Sequence, residues 1–135
     1  MSELRYVDEI PGPDEFRALR ERAGMSPRTA EAAARGLPNS LYGVCVRDGE
    51  RLVGMGRIVG DGGLNFEIVD IAVDPDHQRK GVGVAVMENL MRRLRADAPE
   101  SAYVSLIADD HSPKLYAKFG FEPVAPQSIG MWTRI

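Results

Sequence analysis

Cysteine, histidine and tryptophan are scarce in this chain: its 135 residues include one Cys, two His and one Trp. A lone cysteine excludes an internal disulfide, and as a nucleophile Cys45 would need a histidine beside it. His77 and His111 both fall in polar turns, whereas Cys45 sits in the alternating run Leu41 to Val46. It is therefore read as a small hydrophobe in a strand. No apolar run approaches the ~18 residues of a membrane span, and no charged, apolar, small-residue leader opens the chain. The expectation is a cytoplasmic protein with no membrane partner. A net charge of −3 leaves no basic excess, so no nucleic-acid partner is expected. Repeats, low-complexity tracts and linkers are also missing, which argues for one domain over residues 1–135. What is present, 44% hydrophobic and 27% charged residues, suits a chain able to bury a core without staples.

The stretch from Glu67 to Gly83 organises the rest. Glu67-Ile68-Val69-Asp70-Ile71-Ala72-Val73 reads as a buried strand rich in β-branched residues. Asp74-Pro75 ends it, because proline cannot donate to a ladder and holds the preceding residue extended. After Gln78-Arg79-Lys80-Gly81-Val82-Gly83, the segment Val84 to Arg95 carries Val86, Leu90 and Leu94 at helical spacing, with Met87 and Met91 on the same side. N–H groups in the first turn of such a helix have no internal partner and sit at the positive end of its dipole, so they suit an anion. Glycines at 81 and 83 remove the Cβ atoms that would hold a phosphate away. A pyrophosphate cradle is predicted. Its glycine spacing fits neither the Walker loop nor the dinucleotide fingerprint.

Around this unit, Leu4 to Asp8 predicts a short strand, and Gly12-Pro13 opens a helix to about Ala23 whose apolar side carries Phe16, Leu19 and Arg20. Ser26-Pro27 reads as the cap of an alanine-rich helix ending near Gly36. Ser40 to Arg47 and Arg51 to Val59 alternate on either side of Asp48-Gly49-Glu50, a hairpin signal, and Gly60 to Gly63 turns the chain into the Glu67 strand. Ala102 to Ala108 predicts a strand parallel to that one, since a helical crossover lies between them. Ser112-Pro113 caps a short helix, Lys114 to Phe119, stopped at Gly120. Phe121 to Val124 and Gly130 to Ile135 predict a closing hairpin.

Gln78-x-x-Gly81-x-Gly83, placed after a strand ending Ile-Ala-Val-Asp-Pro, resembles the acetyl-coenzyme A loop of the GNAT superfamily of N-acetyltransferases. Leu115-Tyr116-Ala117-Lys118-Phe119-Gly120-Phe121 is similar to the Leu-Tyr-x-x-x-Gly-Phe signature of the same superfamily. The resemblance covers about Leu41 to Phe121. It implies an α/β (α+β) fold with a mixed, mostly antiparallel sheet of six to seven strands, splayed between strands 4 and 5, and about four helices on both faces. The implied cosubstrate is acetyl-coenzyme A, its arm lying in the splay. Backbone groups of Ile71 and Val73, with Ala72 between them, would bond the acetyl and pantetheine portions. Amides of Arg79, Lys80, Gly81, Gly83 and Val84 would hold the pyrophosphate, in a loop that includes Gln78 and Val82.

The implied reaction is acetyl transfer to a primary amine of a small molecule by direct attack in a ternary complex. Tyr116 occupies the family's position for the acid that protonates the coenzyme A sulfur. Glu67 and Asp70 are candidate bases, with water a third; Glu67 lies five residues before Ala72-Val73, as does the glutamate of the histone-acetylating branch. Strand alternation puts Glu67 with Val69 and Ile71 and Asp70 opposite, unless a bulge shifts the register. Asp109 departs from the family, where many members carry asparagine seven residues before the tyrosine. No metal is expected, because the neighbouring turn residues Asp109, Asp110 and His111 cannot encircle an ion. Alternatives are an acyl-coenzyme A binding module without turnover and a protein or peptide N-acetyltransferase. The acceptor surface would draw on Phe16, Tyr42, Phe66, Met131 and Trp132. Trp132 is read as core or as a contact in a homodimer rather than as a stacking platform.

Overall fold

The computed structural model describes residues 3–109 and 112–135. Strands Leu4–Val7 (β1), Tyr42–Asp48 (β2), Arg51–Gly60 (β3), Asn65–Val73 (β4) and Tyr103–Ser105 (β5) lie in that order in one sheet. Helices Pro13–Arg22 (α1) and Ala30–Gly36 (α2) precede β2, Val82–Asp97 (α3) links β4 to β5, and Pro113–Ala117 (α4) follows. β1 to β4 pair antiparallel, and β5 runs parallel to β4 as its helical crossover requires. The β2–β3 hairpin turns on Gly49 and Glu50: Asp48 pairs with Arg51, and Gly49 has φ +62°, which glycine adopts at no steric cost.

Helical and strand periodicities together build two apolar layers. The stripe Val82, Val86, Met87, Leu90, Met91 and Leu94 of α3 packs on Val44, Val46, Val53, Ile58, Phe66 and Ile68, with Tyr116 of α4 closing the same cluster. On the other face, Phe16 and Leu19 of α1 and Ala33 of α2 cover Cys45, Leu52, Met55 and Ala72. No helix among the described residues is long and apolar enough to cross a membrane.

A bulge in β4 alters the expected alternation. Met55 pairs with Ala72 and Arg57 with Val69, so Gly56 alone faces both Asp70 and Ile71. Phe66 and Ile68 pack under α3 before the bulge; Ile71 and Val73 pack there after it, while Ala72 turns to the α1 side. Ile71 thus parts from Glu67 and Val69. Gly56 makes this packing feasible, because a Cβ built on it would lie 2.5 Å from Ile71 Cδ1, 2.7 Å from Val86 Cγ1 and 3.0 Å from Leu90 Cδ1. Val86 is β-branched and helical, so it has little freedom to yield. Gly56→Ala is expected to cost about 1–3 kcal/mol in urea unfolding, the usual penalty for overpacking. An unchanged midpoint would mean that the layer between β3 and α3 is loose.

Several expected boundaries move. The second helix is capped by Thr29, whose Oγ1 accepts the Ala32 N–H at 3.1 Å, not by Ser26. Arg20 occupies the Ser26 carbonyl and hydroxyl at 2.7 and 3.2 Å. The helix after the glycine loop begins at Val82, two residues before Val84. β5 spans three residues, matching Asn65 to Glu67 and nothing beyond. The closing hairpin does not form, and among the described residues the sheet has five strands instead of six or seven. Pro123 and Pro126 have no N–H to give to a ladder. Ile129, Met131 and Trp132 are 72%, 83% and 78% exposed, so residues 129–132 turn no apolar face to the core, and Trp132 is not a core residue.

Candidate active site

The strand, loop and helix read from residues 67–83 form one wall of a cleft of about 710 Å³. Val73, Gln78, Arg79, Gly81, Gly83 and Val84 line one side, and Asp109, Ser112 and Leu115 the other. Asp74 anchors the turn into the loop: its Oδ1 accepts the Asp76 N–H at 3.0 Å, and its Oδ2 meets Arg22 Nε at 2.7 Å. Burial would push the Asp74 carboxyl up, but the Asp76 N–H and the Arg22 and Arg51 guanidiniums outweigh it and hold the pKa below its ordinary value. Gly81 then caps α3 with φ +80°, a left-handed conformation that an L side chain resists. No atom lies within 4 Å of a Cβ built on Gly81, and Leu115 Cδ2 alone lies as near as 3.7 Å at Gly83. The bare helix end therefore opens into space that a phosphate can fill. Of the loop residues named from the sequence, Gln78, Arg79, Gly81, Gly83 and Val84 line this cleft and Lys80 does not. Val82 contributes only its backbone, since its side chain is buried.

The edge of β4 runs from this cradle to the centre of the molecule. Pairing with β5 stops at Glu67 opposite Ser105, so among the described residues no strand pairs with 68–73 on that side. This is the expected splay between strands 4 and 5. The Asp74 N–H donates to Val53 on β3 at 2.8 Å, and alternation turns the Val73 backbone the other way, into the cleft. There the Val73 carbonyl accepts Gln78 Nε2 at 3.1 Å. A strand edge with no neighbouring strand is what an extended, amide-bearing arm can pair with. Ala72 differs from its neighbours because its side chain is buried on the α1 side.

Farther along β4 lies a second cleft of about 580 Å³, lined by Glu67, Ile71, Tyr116, Asp109 and residues 132–135 among others. Asp109 borders both clefts. The two candidate bases have different fates. Asp70, at φ +58° in the bulge, accepts from Arg20 Nη1 at Oδ1 (2.5 Å) and from Arg57 Nε at Oδ2 (2.6 Å), with its side chain 7% exposed. With a guanidinium on each oxygen, it is a structural anion. Glu67 has no cation within 4 Å among the described residues and faces the cleft. The Tyr116 ring sits in the α3 layer, edge-on to Phe121 with centroids 6.5 Å apart. Burial raises its phenol above the ordinary value and the Asp109 charge raises it further, while the Ser112 hydroxyl draws it down. It stays protonated at neutral pH.

Cys45 is fully buried and its thiol is pushed up to about 12, which leaves it inert. Asp110 and His111 lie outside the described residues. The arginines were missed from the sequence. A charged side chain on the apolar stripe of α1 was the available sign that Arg20 needs a buried acid.

With this geometry in place, comparison with known proteins assigns the family. Residues 6–121 match the model of the Acetyltransferase (GNAT) family, and the chain belongs to it. A solved structure from methicillin-resistant Staphylococcus aureus, described as a protein of unknown function and probable acetyltransferase, is 48% identical with a TM-score of 0.95, covering 98% of this chain and 100% of that one. A soybean (Glycine max) protein named histone acetyltransferase TAP1 is 30% identical over 80% of this chain and 51% of its own length. Rice (Oryza sativa) serotonin N-acetyltransferase 2 is 32% identical over 74% of this chain and 51% of its own. The chain thus spans about half the length of these two curated relatives.

Proposed function

We propose that the protein transfers the acetyl group of acetyl-coenzyme A to the primary amine of a small molecule within a ternary complex. The observation that carries this reading is the pair of clefts that follow one another along β4, one at a bare helix N-terminus and the other bearing Glu67 and Tyr116, with Asp109 at their common border. In this reading, amides of residues 79–84 hold the diphosphate, and the open β4 edge at Ile71 and Val73 aligns the pantetheine arm. Glu67, directly or through water, takes the proton that the ammonium must lose before nitrogen attacks the thioester carbonyl. As the C–N bond forms and the C–S bond breaks, Tyr116 donates its proton to the departing sulfur and is reprotonated through water by the second proton that the acylated nitrogen sheds, while Glu67 releases its proton to solvent. The products are the N-acetyl amine and free coenzyme A. Walling of the second cleft by residues 132–135 supports a small acceptor over an extended peptide.

Two measurements test the proposal. Acetyl-coenzyme A at a hundredfold excess over its dissociation constant should stabilise the fold by about 2.7 kcal/mol. Free thiol should then appear when small primary amines are added. A melting shift with no thiol release from any amine would favour a binding module, and release with lysine peptides alone would favour a protein acceptor.

A further inference from the structure

Acids and arginines in the cleft beside Tyr116 are not all spent on each other. Arg20 and Asp70 are paired at 2.5 Å, and Arg57 takes the other Asp70 oxygen. That leaves Glu67 and Asp109 as carboxylates, and Arg28 and Arg134 as guanidiniums, on the same walls. None of these four has an oppositely charged partner within 4 Å among the described residues. Arg134 instead lies with its guanidinium carbon 5.6 Å from the centroid of the Trp132 ring, which steadies it while leaving its N–H groups available. Arg28 and Arg134 converge from distant parts of the chain. Burial lowers the Arg20 pKa and Asp70 opposes this, while Arg28 and Arg134 each lower it further, as charges close to the same guanidinium must.

Resting on the acetyl-transfer reading above, we infer that the acceptor is an amine carrying its own anionic group, whose nitrogen sits toward Glu67, Asp109 and Tyr116 and whose carboxylate or phosphate is held by Arg28 and Arg134. Two like charges on one cleft wall repel unless an anion lies between them, and planar guanidinium forks match carboxylate and phosphate oxygens alike. A neutral monoamine leaves both arginines unanswered. An amine with an anionic arm satisfies both ends of the cleft, and the same contacts select against diamines and polyamines.

Matched acceptors test this: butylamine against 4-aminobutyrate, tyramine against tyrosine, and ethanolamine against O-phosphoethanolamine, with thiol release read at saturating acetyl-coenzyme A. The anionic member of at least one pair is expected to have a kcat/KM at least about tenfold higher than its neutral partner. The carboxylate and phosphate pairs show which anion is preferred. Arg28→Gln and Arg134→Gln, both at exposed positions, should bring that ratio toward one by raising KM for the anionic amine. Equal or inverse preference in all three pairs, or variants that keep the wild-type ratio, overturns the inference. So does an acetyl-coenzyme A melting shift with no turnover of any of the six amines, an outcome that leaves cosubstrate binding standing. Loss of the shift itself removes the reading beneath and this inference with it.

Discussion

In Gly83→Val, acetyl-coenzyme A is expected to leave the melting temperature unchanged, whereas the parent protein should gain roughly 10 °C at a hundredfold excess of ligand. Position 83 makes a clean test because the protein itself has room there. A Cβ at Gly83 meets one side-chain atom, Leu115 Cδ2 at 3.7 Å, an ordinary contact. Gly83 lies inside α3 and is not among the positive-φ residues, so valine needs no strained backbone. Valine is also no worse than glycine in a helix. The variant should fold and melt near the parent temperature in the absence of ligand. What changes is the cleft: two branched methyls occupy the space in front of the first-turn N–H groups, where the diphosphate is proposed to lie. Gly81→Val would be a poorer probe, since φ +80° makes any side chain costly there and folding and binding would fail together. An undiminished shift in Gly83→Val would show that the nucleotide does not use this helix end.

The strand, glycine loop and helix around residues 67–95 were legible in the sequence because all their signals are local. Asp-Pro, a glycine pair and apolar residues at helical spacing fall within about thirty consecutive residues, and each has a direct backbone meaning. The bulge in β4 was visible only as a question. An aspartate inside an apolar strand signals something unusual, but its explanation comes from Arg20, fifty residues earlier, and from Arg57, thirteen residues earlier. No window covers both. The closing hairpin failed for the opposite reason. Residues 130–135 alternate well enough to suggest a strand, yet pairing needs donors and an apolar face turned inward, and the chain offers two prolines before Ile129 and leaves Trp132 exposed. The division between Glu67 and Asp70 follows the same rule: both are carboxylates on one strand, and only their distant neighbours separate an open acid from a clamped one.

Tyr116→Phe is expected to lower kcat by about 10²–10⁴-fold, the usual worth of a positioned acid, with the acetyl-coenzyme A melting shift retained. The ring and the hydroxyl have separable duties. Tyr116 is 8% exposed, packs in the α3 layer and meets Phe121 edge-on, and phenylalanine preserves all of that. Loss of the hydroxyl alone should cost no more than about 1 kcal/mol of stability. A purely structural tyrosine would therefore give a variant with a slightly lower melting temperature and full turnover, which is the result that would remove Tyr116 from the chemistry. The pH profile adds a second reading. Since burial and Asp109 hold the phenol above its ordinary value of 10.0, the acid remains protonated through the neutral range, and any alkaline fall in kcat due to its ionisation lies above that value in the parent protein. The rise on the acid side belongs to the acceptor amine losing its proton, and it should persist in Tyr116→Phe. Acceptors whose reaction needs less help at the sulfur offer no escape, because the same thiolate leaves whichever amine attacks. The loss should therefore be similar across acceptors, in contrast to changes at Arg28 or Arg134, which should depend on the charge the acceptor carries.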